Sequence, residues 1–425
     1  MGPGPLTPEA YYRLPWNLAD NAITWLEPTT KCNLYCDGCY RENDPNGDRP
    51  LKEVIYDLEQ LKRFRKTDGI SIAGGEPLIY PHIVDLVHYV GSQGWKPIII
   101  TNGTMLNPEI IRELKKAGLV GLTVHVDSHQ HRPGWNDKSE EDLNELRTRL
   151  AEMIHEAGKG RVSCSFNATI YRDTVKEVPV LTRWAQEHID LVQTLVFILF
   201  RSAKVNDRFD YYVAGRKLDT AELNILRYNV DSTAAYHDVM IPEVVEKIRA
   251  ACPAYQPCAF LNSNQDGSAI KWLLALRVGR RERILGYMDS KFVECSQVFH
   301  HLLFGTYLAY TRPWAMKNVQ LLFPLAGLNQ GLAKLFRTWL IEPARWTKQL
   351  HSQSILLLQP PDVLEDGRQA MCDGCPDSVF HKGRILWKCR LDEVQKFGDF
   401  ISSVPKSESQ MKASSVHAGE VDRVL

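Results

Sequence analysis

The sequence predicts an α/β protein built on a parallel sheet with both faces covered. Two observations carry this. Between residues 23 and 200, six short β-type runs alternate with helical runs. Two of these runs, 69–73 and 191–200, are apolar, as expected of strands buried on both sides. In order, a strand over 23–27 leads into a cysteine-rich loop, and a helix follows over 51–65. Strand 69–73, helix 81–93, strand 97–101, helix 108–117 and strand 121–126 continue the alternation. Helix 140–157 opens on Ser139-Glu140-Glu141-Asp142, a capping-box pattern, and places Leu143, Leu146, Leu150 and Met153 on one face. Strand 162–170, helix 174–187 and the apolar run 191–200 complete the series.

The 425 residues suffice for two or three domains. With 44% hydrophobic and 24% charged residues the composition is that of a soluble globular protein. Its 51 basic and 51 acidic residues cancel, so no global field draws the chain to nucleic acid. No uninterrupted apolar run is long enough for a spanning helix. The opening residues lack the regions of a signal peptide, and Leu6 stands where a myristoylation signal needs Ser or Thr. Ten cysteines without an export signal point to metal binding in a reducing cytoplasm.

Cys32, Cys36 and Cys39 have the spacing C-x3-C-x2-C. One short loop thus supplies three thiolates and no fourth. A four-iron cluster wants four ligands. Three leave one iron open to an outside molecule. A structural zinc ion would need a fourth protein ligand, and disulfides an oxidising compartment. A second run, Ala73-Gly74-Gly75-Glu76-Pro77, closes the strand over 69–73. Two glycines at a strand end admit close approach to the backbone, although they serve an ordinary turn equally well.

The two runs, in this order and about 35 positions apart, resemble the radical S-adenosylmethionine (radical SAM) enzymes. The pattern departs at Gly38, where an aromatic residue is common; Tyr35 and Tyr40 flank the outer cysteines instead. The resemblance implies a partial (β/α)6 barrel and a [4Fe-4S] cluster on Cys32, Cys36 and Cys39. It also implies S-adenosylmethionine beside Gly74, Gly75, Glu76 and Pro77, with loop geometry as an alternative role for Glu76. The chemistry implied is reductive cleavage to methionine and a 5′-deoxyadenosyl radical. No acid–base catalytic residue is assigned. In such folds ligands lie at the carboxyl ends of the strands. Thr101, Asn102, His125, Asp127, Asn167 and Thr169 lie there, and Asn102, Asp127 and Asn167 are the expected cofactor contacts. Turn chemistry accounts for Asn and Asp equally well. Arg201 is a candidate carboxylate partner, and the loop from His125 to Arg132, with three histidines, is expected at the rim facing substrate.

The second half is less regular. Cys372, Cys375 and Cys389 resemble the C-terminal extensions of this family that bind auxiliary clusters. One auxiliary [4Fe-4S] cluster is expected, its fourth ligand drawn from Cys252, Cys258 or Cys295, with Cys258 chosen. A zinc knuckle is the alternative. Cys164 reads as core. Residues 297–350 carry Phe299, Leu302, Phe304, Trp314, Leu321, Phe323, Phe336, Trp339 and Trp346 beside Arg312, Lys317, Lys334, Arg337, Arg345 and Lys348, against one acid, Glu342. Apolar faces beside basic ones describe helices in a membrane interface, or else core. Pro313, Pro324 and Pro343 divide the region. The expected organisation is an N-terminal segment 1–22, a barrel 23–215, a connecting, substrate-facing region 216–296, amphipathic helices 297–350, an auxiliary-cluster region 351–400 and a flexible tail 401–425. The extension is expected to be largely helical. The amphipathic region favours a hydrophobic or lipid-like substrate and peripheral membrane contact, and the family resemblance implies a reductant such as flavodoxin or ferredoxin. A peptide or small polar substrate is the rival, and an iron–sulfur electron carrier or zinc scaffold the alternative of another class.

Overall fold

A computed structural model describes residues 6–37, 39–200, 208–223, 239–309, 311–342 and 349–406. The expected alternation is present. Strands β1 (Tyr12–Arg13), β2 (Ile23–Thr29), β3 (Gly69–Gly74), β4 (Lys96–Thr101), β5 (Gly121–His125), β6 (Ser163–Ile170) and β7 (Thr194–Leu199) precede residue 200. Helices α1 (Leu51–Phe64), α2 (Ile83–Ser92), α3 (Pro108–Ala117), α4 (Leu143–Gly158) and α5 (Val178–Glu187) connect β2 to β7. The capping box forms: Asp142 N–H donates to Ser139 Oγ, and Ser139 N–H to the Asp142 carboxylate. Regular helix starts just after it. Helix α3 starts with Asn107 accepting from Ile110 N–H and stops at Gly118, whose φ of 110° an L side chain resists. Helix α5 begins four residues later than expected because Val175–Glu177 form a 3-10 turn ahead of Pro179.

Beyond residue 200 lie β8 (Phe209–Val213), β9 (Arg216–Lys217), β10 (Ala259–Asn262), β11 (Ile270–Gly279), β12 (Ile284–Tyr287) and β13 (His351–Leu358). One sheet runs β1-β10-β11-β13-β7-β6-β5-β4-β3-β2, with β12 on β11. Strands β2 to β7 are parallel, and β13 joins β7 as a seventh parallel strand. Strand β11 then runs antiparallel to β13. The barrel sheet therefore continues into the second half of the chain. Its helices there are α6 (Thr220–Leu223), α7 (Ile241–Ala251), α8 (Ser290–Phe304), α9 (Pro313–Met316), α10 (Gln330–Leu340) and α11 (Leu391–Phe397). Short ladders β14 (Asp362–Val363) with β15 (Gln369–Ala370), and β16 (Ser378–His381) with β17 (Arg384–Trp387), fill the C-terminal region. Strand β18 (Ser402–Pro405), at the start of the expected tail, pairs with β8. The core lies between sheet and helices, where Leu58, Ile72, Leu86, Ile99, Phe166 and Phe197 are fully buried.

The amphipathic reading of 297–350 divides. Phe323, Leu335 and Trp339 are buried with Val278, Met288 and Leu350, and Phe336 packs against them. These side chains are core, which corrects their placement on an interfacial face. Phe299, Leu302, Phe304, Trp314, Leu321 and Leu328 are exposed. Pro313 opens α9 and Pro324 sits in a 3-10 run, so the prolines do separate the helices. Pro343, Arg345, Trp346 and Lys348, like Arg201 and Gly38, lie outside the described residues. No helix among the described residues is long and apolar enough to cross a membrane.

Candidate functional site

The carboxyl ends of the parallel strands open into a cavity of about 840 Å3. Cys32, Cys36 and Cys39 line one side of it, and Cys372, Cys375 and Cys389 also line it. Residues from six strand ends face the same space: Gly74 and Gly75, Thr101 and Asn102, His125 and Asp127, Asn167 and Thr169, Leu199 and Phe200, and Leu358 and Gln359. Sequence separations of more than 300 positions are thus closed by the parallel topology.

The cysteine loop is anchored by the Gly-Gly-Glu run. Gly75 N–H donates to Thr29 O at 2.9 Å and Glu76 N–H to Lys31 O at 2.8 Å. A Cβ on Gly75 would stand 2.0 Å from Lys31 O, and one on Gly74 would stand 2.3 Å from Thr29 O. The glycines make room for the backbone that carries Cys32, as well as facing the cavity. Glu76 is fully buried and does not line the cavity, nor does Pro77. The Glu76 carboxylate accepts from Leu78 N–H, Thr101 Oγ1 and Asn102 N–H at 2.9, 2.6 and 2.7 Å. Burial pushes this carboxyl up, against the pull of those three donors and of Arg132. Glu76 ties the second strand end to the third, the geometric role offered for it above. Asn102 reaches the loop itself: its Nδ2 donates to Asn33 Oδ1 at 2.7 Å and lies 3.9 Å from Cys32 Sγ.

The histidine-rich loop clamps the cysteines. His129 lies 3.2 Å and His131 2.8 Å from the carboxylate of Asp37, between Cys36 and Cys39. Asp37 N–H donates to His129 O. Tyr171 stacks on His129 at 3.9 Å and donates its hydroxyl to Asp37 O at 2.9 Å. Of the three histidines, His125 alone lines the cavity, its Nε2 2.8 Å from Asp127 Oδ2. Burial pushes the Asp127 carboxyl up, but His125 and the N–H groups of Thr169 and His129 outweigh it and hold it below the usual range. Buried Arg132 donates to Asn102 O and His125 O. These long-range clamps leave no local sequence pattern beyond the density of histidine.

Asn167 lines the cavity, and its buried Oδ1 has no hydrogen-bond partner. An acceptor in that position suits a donor arriving with a ligand. Burial, reinforced by Cys39, Asp127 and Cys32, pushes the Cys36 thiol well up, against the pull of Arg132. Three neighbouring thiolates need a cationic centre to be stable together. Among the described residues no three His, Cys, Asp or Glu side chains gather tightly enough for a single metal ion. A four-iron cluster asks for cysteines spread over separate irons, and the three-cysteine loop fits that donor set.

The C-terminal set is built differently. Cys372 and Cys375 are buried in an apolar cluster with Trp16, Leu261 and Trp272. Their knuckle is held by backbone carbonyls: Asn21 Nδ2 donates to Gly374 O, and the buried Arg65 guanidinium to Cys375 O and Pro376 O. The β16–β17 hairpin separates Cys375 from Cys389. The expected fourth ligand is not brought to the cavity. Cys258 is fully buried, its thiol donating to Leu274 O at 3.3 Å; Cys252 lies 3.1 Å from Tyr287 Oη; Cys295 is exposed on α8. Cys164 is core, as expected. Lys388, beside Cys389, also lines the cavity and sits over the rings of Trp25 and Tyr40.

Residues 26–185 match the sequence family described as the radical SAM superfamily. This stretch, which carries Cys32, Cys36, Cys39 and the Gly-Gly-Glu run, is a radical SAM domain. That family implies a [4Fe-4S] cluster and S-adenosylmethionine as cofactors. The chain is 26% identical over 166 residues to a tungsten-containing aldehyde ferredoxin oxidoreductase cofactor-modifying protein of Pyrococcus furiosus, covering 38% of this chain and 47% of that one. It is 36% identical over 104 residues to an S-adenosylmethionine-dependent nucleotide dehydratase of Selenomonas ruminantium, covering 24% of this chain and 38% of that one. The chain spans less than half the length of these curated relatives. Among solved structures, Streptococcus suis SuiB bound to precursor peptide SuiA aligns with a TM-score of 0.34 at 20% identity, over 42% of this chain and 39% of that one.

Proposed function

We propose that this radical SAM protein is an enzyme that cleaves S-adenosylmethionine reductively and directs the resulting radical at a hydrophobic substrate. The observation that carries the reading is the shared cavity, which Cys32, Cys36 and Cys39 line together with six strand ends. Cys32, Cys36 and Cys39 would hold a cluster, which would supply the electron for cleavage to methionine and a 5′-deoxyadenosyl radical. Gly74, Gly75, Asn102 and Asn167, which face the cavity, would contact S-adenosylmethionine there. Asp127 holds the His125 ring at the cavity wall, and Glu76 and Pro77 act behind the wall. The enclosing strand ends exclude water and fix the substrate near the radical. Anaerobic reconstitution with iron, sulfide and reductant, followed by assay for 5′-deoxyadenosine, tests the reading. Absence of 5′-deoxyadenosine from iron-loaded protein would overturn it.

Cys372, Cys375 and Cys389 belong to an auxiliary [4Fe-4S] site in this reading, its fourth ligand coming from outside the cysteines already named or from substrate. Flavodoxin or ferredoxin is the proposed reductant. Trp272, Phe200, Leu358, Pro360, Pro361 and Val363 give the cavity an apolar wall, which supports a hydrophobic substrate, a lipid included. Peripheral contact with a membrane belongs to the same reading, supported by the exposed apolar residues of α8. Arg208, Asp362 and Lys388 on the cavity surface support the second reading, a peptide or small polar metabolite.

A further inference from the structure

Lys388 occupies an unusual position. Its Nζ lies 3.4 Å from the ring centroid of Trp25, 4.6 Å from that of Tyr40 and 3.5 Å from the carboxylate of Asp377. Its side chain is only 19% exposed, and it lines the cavity that Cys39 and Cys389 also line. Lysine side chains lose much rotamer freedom when fixed, so two aromatic faces and one carboxylate hold this charge where a surface lysine would wander. The two aromatic holders come from the other cysteine region, and the carboxylate from beside Cys375. Tyr40 follows Cys39, and its hydroxyl reaches Glu27 Oε1 and Gly74 O at 3.4 and 3.3 Å. Trp25 donates Nε1–H to the same Glu27 oxygen at 2.8 Å.

We propose that Lys388 is a positioning residue that sets the reduction potential of the group held by Cys372, Cys375 and Cys389. This deepens the auxiliary-cluster reading and rests on it. Cluster potentials respond to nearby charge, hydrogen bonding and exposure. One-electron reduction adds a negative charge. A fixed ammonium in a partly buried site favours the reduced state and raises the potential, while Asp377 acts in the opposite sense. Tyr40, next to Cys39, and Trp25, on β2, place the charge against the first cysteine region.

The test is a potentiometric titration followed by electron paramagnetic resonance on the full-length, anaerobically reconstituted chain. Carrying Cys32→Ala, Cys36→Ala and Cys39→Ala throughout isolates the C-terminal signal. Lys388→Met should move its potential to more negative values, Asp377→Asn to more positive ones, and Lys388→Arg should keep it near the parent. Iron content establishes that each variant is loaded. An unchanged potential in loaded Lys388→Met, or shifts of the same sign in Lys388→Met and Asp377→Asn, would overturn the proposal. Loss of all iron from the triple-alanine parent would instead defeat the auxiliary-cluster reading, and this proposal with it.

Discussion

The two cysteine sets face one cavity but are held in opposite ways. The first lies on one loop, and polar side chains fix it from behind and from the side: Glu76 through Asn102, and His129, His131 and Tyr171 through Asp37. Cys32 and Cys36 are half-buried and Cys39 is exposed. The second set is split by a hairpin, and two of its members are buried in an apolar cluster. Backbone carbonyls of its knuckle are tied to Asn21 and Arg65, residues far away in sequence. The first loop is oriented through polar side chains, whereas the knuckle of the second is held by packing and by its own backbone carbonyls. The joint between them is ionic: Arg41, just after the first set, pairs with Glu27 and with Asp392 of α11, and Lys396 pairs with Glu42.

Removing each set separately gives the largest effects and breaks the comparison if they match. Cys32→Ala, Cys36→Ala and Cys39→Ala together should abolish 5′-deoxyadenosine formation while iron remains at the C-terminal set. Cys372→Ala, Cys375→Ala and Cys389→Ala together should lower the iron content yet leave cleavage of S-adenosylmethionine measurable. Iron assay and chromatography of 5′-deoxyadenosine read both. Cleavage surviving in the first variant would remove the functional assignment.

The first region was legible because its signals are local. Cysteine spacing, the glycine pair and apolar strand runs all fall within short windows. The second region hid its strands behind polar residues that tertiary partners satisfy. Lys271 and Arg277 interrupt the apolar run of β11, yet both are buried. Lys271 pairs with Asp362, and Arg277 donates to Gln353 and Thr182 O. Gln353 likewise disguises β13 and is satisfied by Ala185 O and Val192 O. The clamp on Asp37 and the pin at Lys388 depend on pairs separated by about 90 to 360 positions, which no window contains. Cys258 shares the apolar cluster of Cys372 and Cys375, but its thiol is bonded to Leu274 O and it does not line the cavity, which a count of cysteines does not reveal.

Glu76 sharpens the contrast at the level of a single residue. Glu76→Ala leaves three donors without their buried acceptor, and each such loss costs about 1–3 kcal/mol. A destabilisation of about 3–5 kcal/mol is expected in urea unfolding, with Glu76→Gln less severe. Iron should be lost from the first set before the second. Equal loss from both sets would mean that Glu76 supports the whole barrel and not the loop.

His351 tests the seam by which β13 attaches the second half to the barrel. Burial, with the nearby charges of Lys317, Arg281 and Arg280, lowers its imidazole to about 4, against the pull of Asp190. An unfolded histidine titrates near 6.5. Between those values the unfolded chain binds the extra proton, so stability is complete above about pH 6.5 and falls as pH drops towards 4, by up to about 3 kcal/mol. Urea unfolding across this range should show the acid limb, and His351→Gln should flatten it. A limb of equal depth in that variant would assign it to other groups.

The exposed face of α8 gives the smallest effect on stability and the finest separation of surface from core. Val298, Phe299, Leu302 and Leu303 recur at one-turn spacing and stand exposed, with Leu302 77% accessible. Trp339 is 7% accessible and packs on Phe323 and Phe336 at 5.1 and 6.0 Å. Replacing Leu302 and Phe304 by Ser removes side chains that bury little, so stability should stay within about 0.5 kcal/mol of the parent. Trp339→Ala empties a core site and should cost about 3–5 kcal/mol. The surface pair becomes informative when both proteins are sedimented with anionic liposomes. Apolar side chains entering the bilayer boundary gain about 25 cal/mol per Å2, and Arg312, Lys334 and Arg337 add an attraction that salt weakens. The parent should sediment with the liposomes, less so at high salt, and the folded Leu302→Ser, Phe304→Ser variant should remain in solution. A parent that stays in solution at low salt would remove membrane contact from the proposed function, and the apolar cavity wall would then stand alone as support for a hydrophobic substrate.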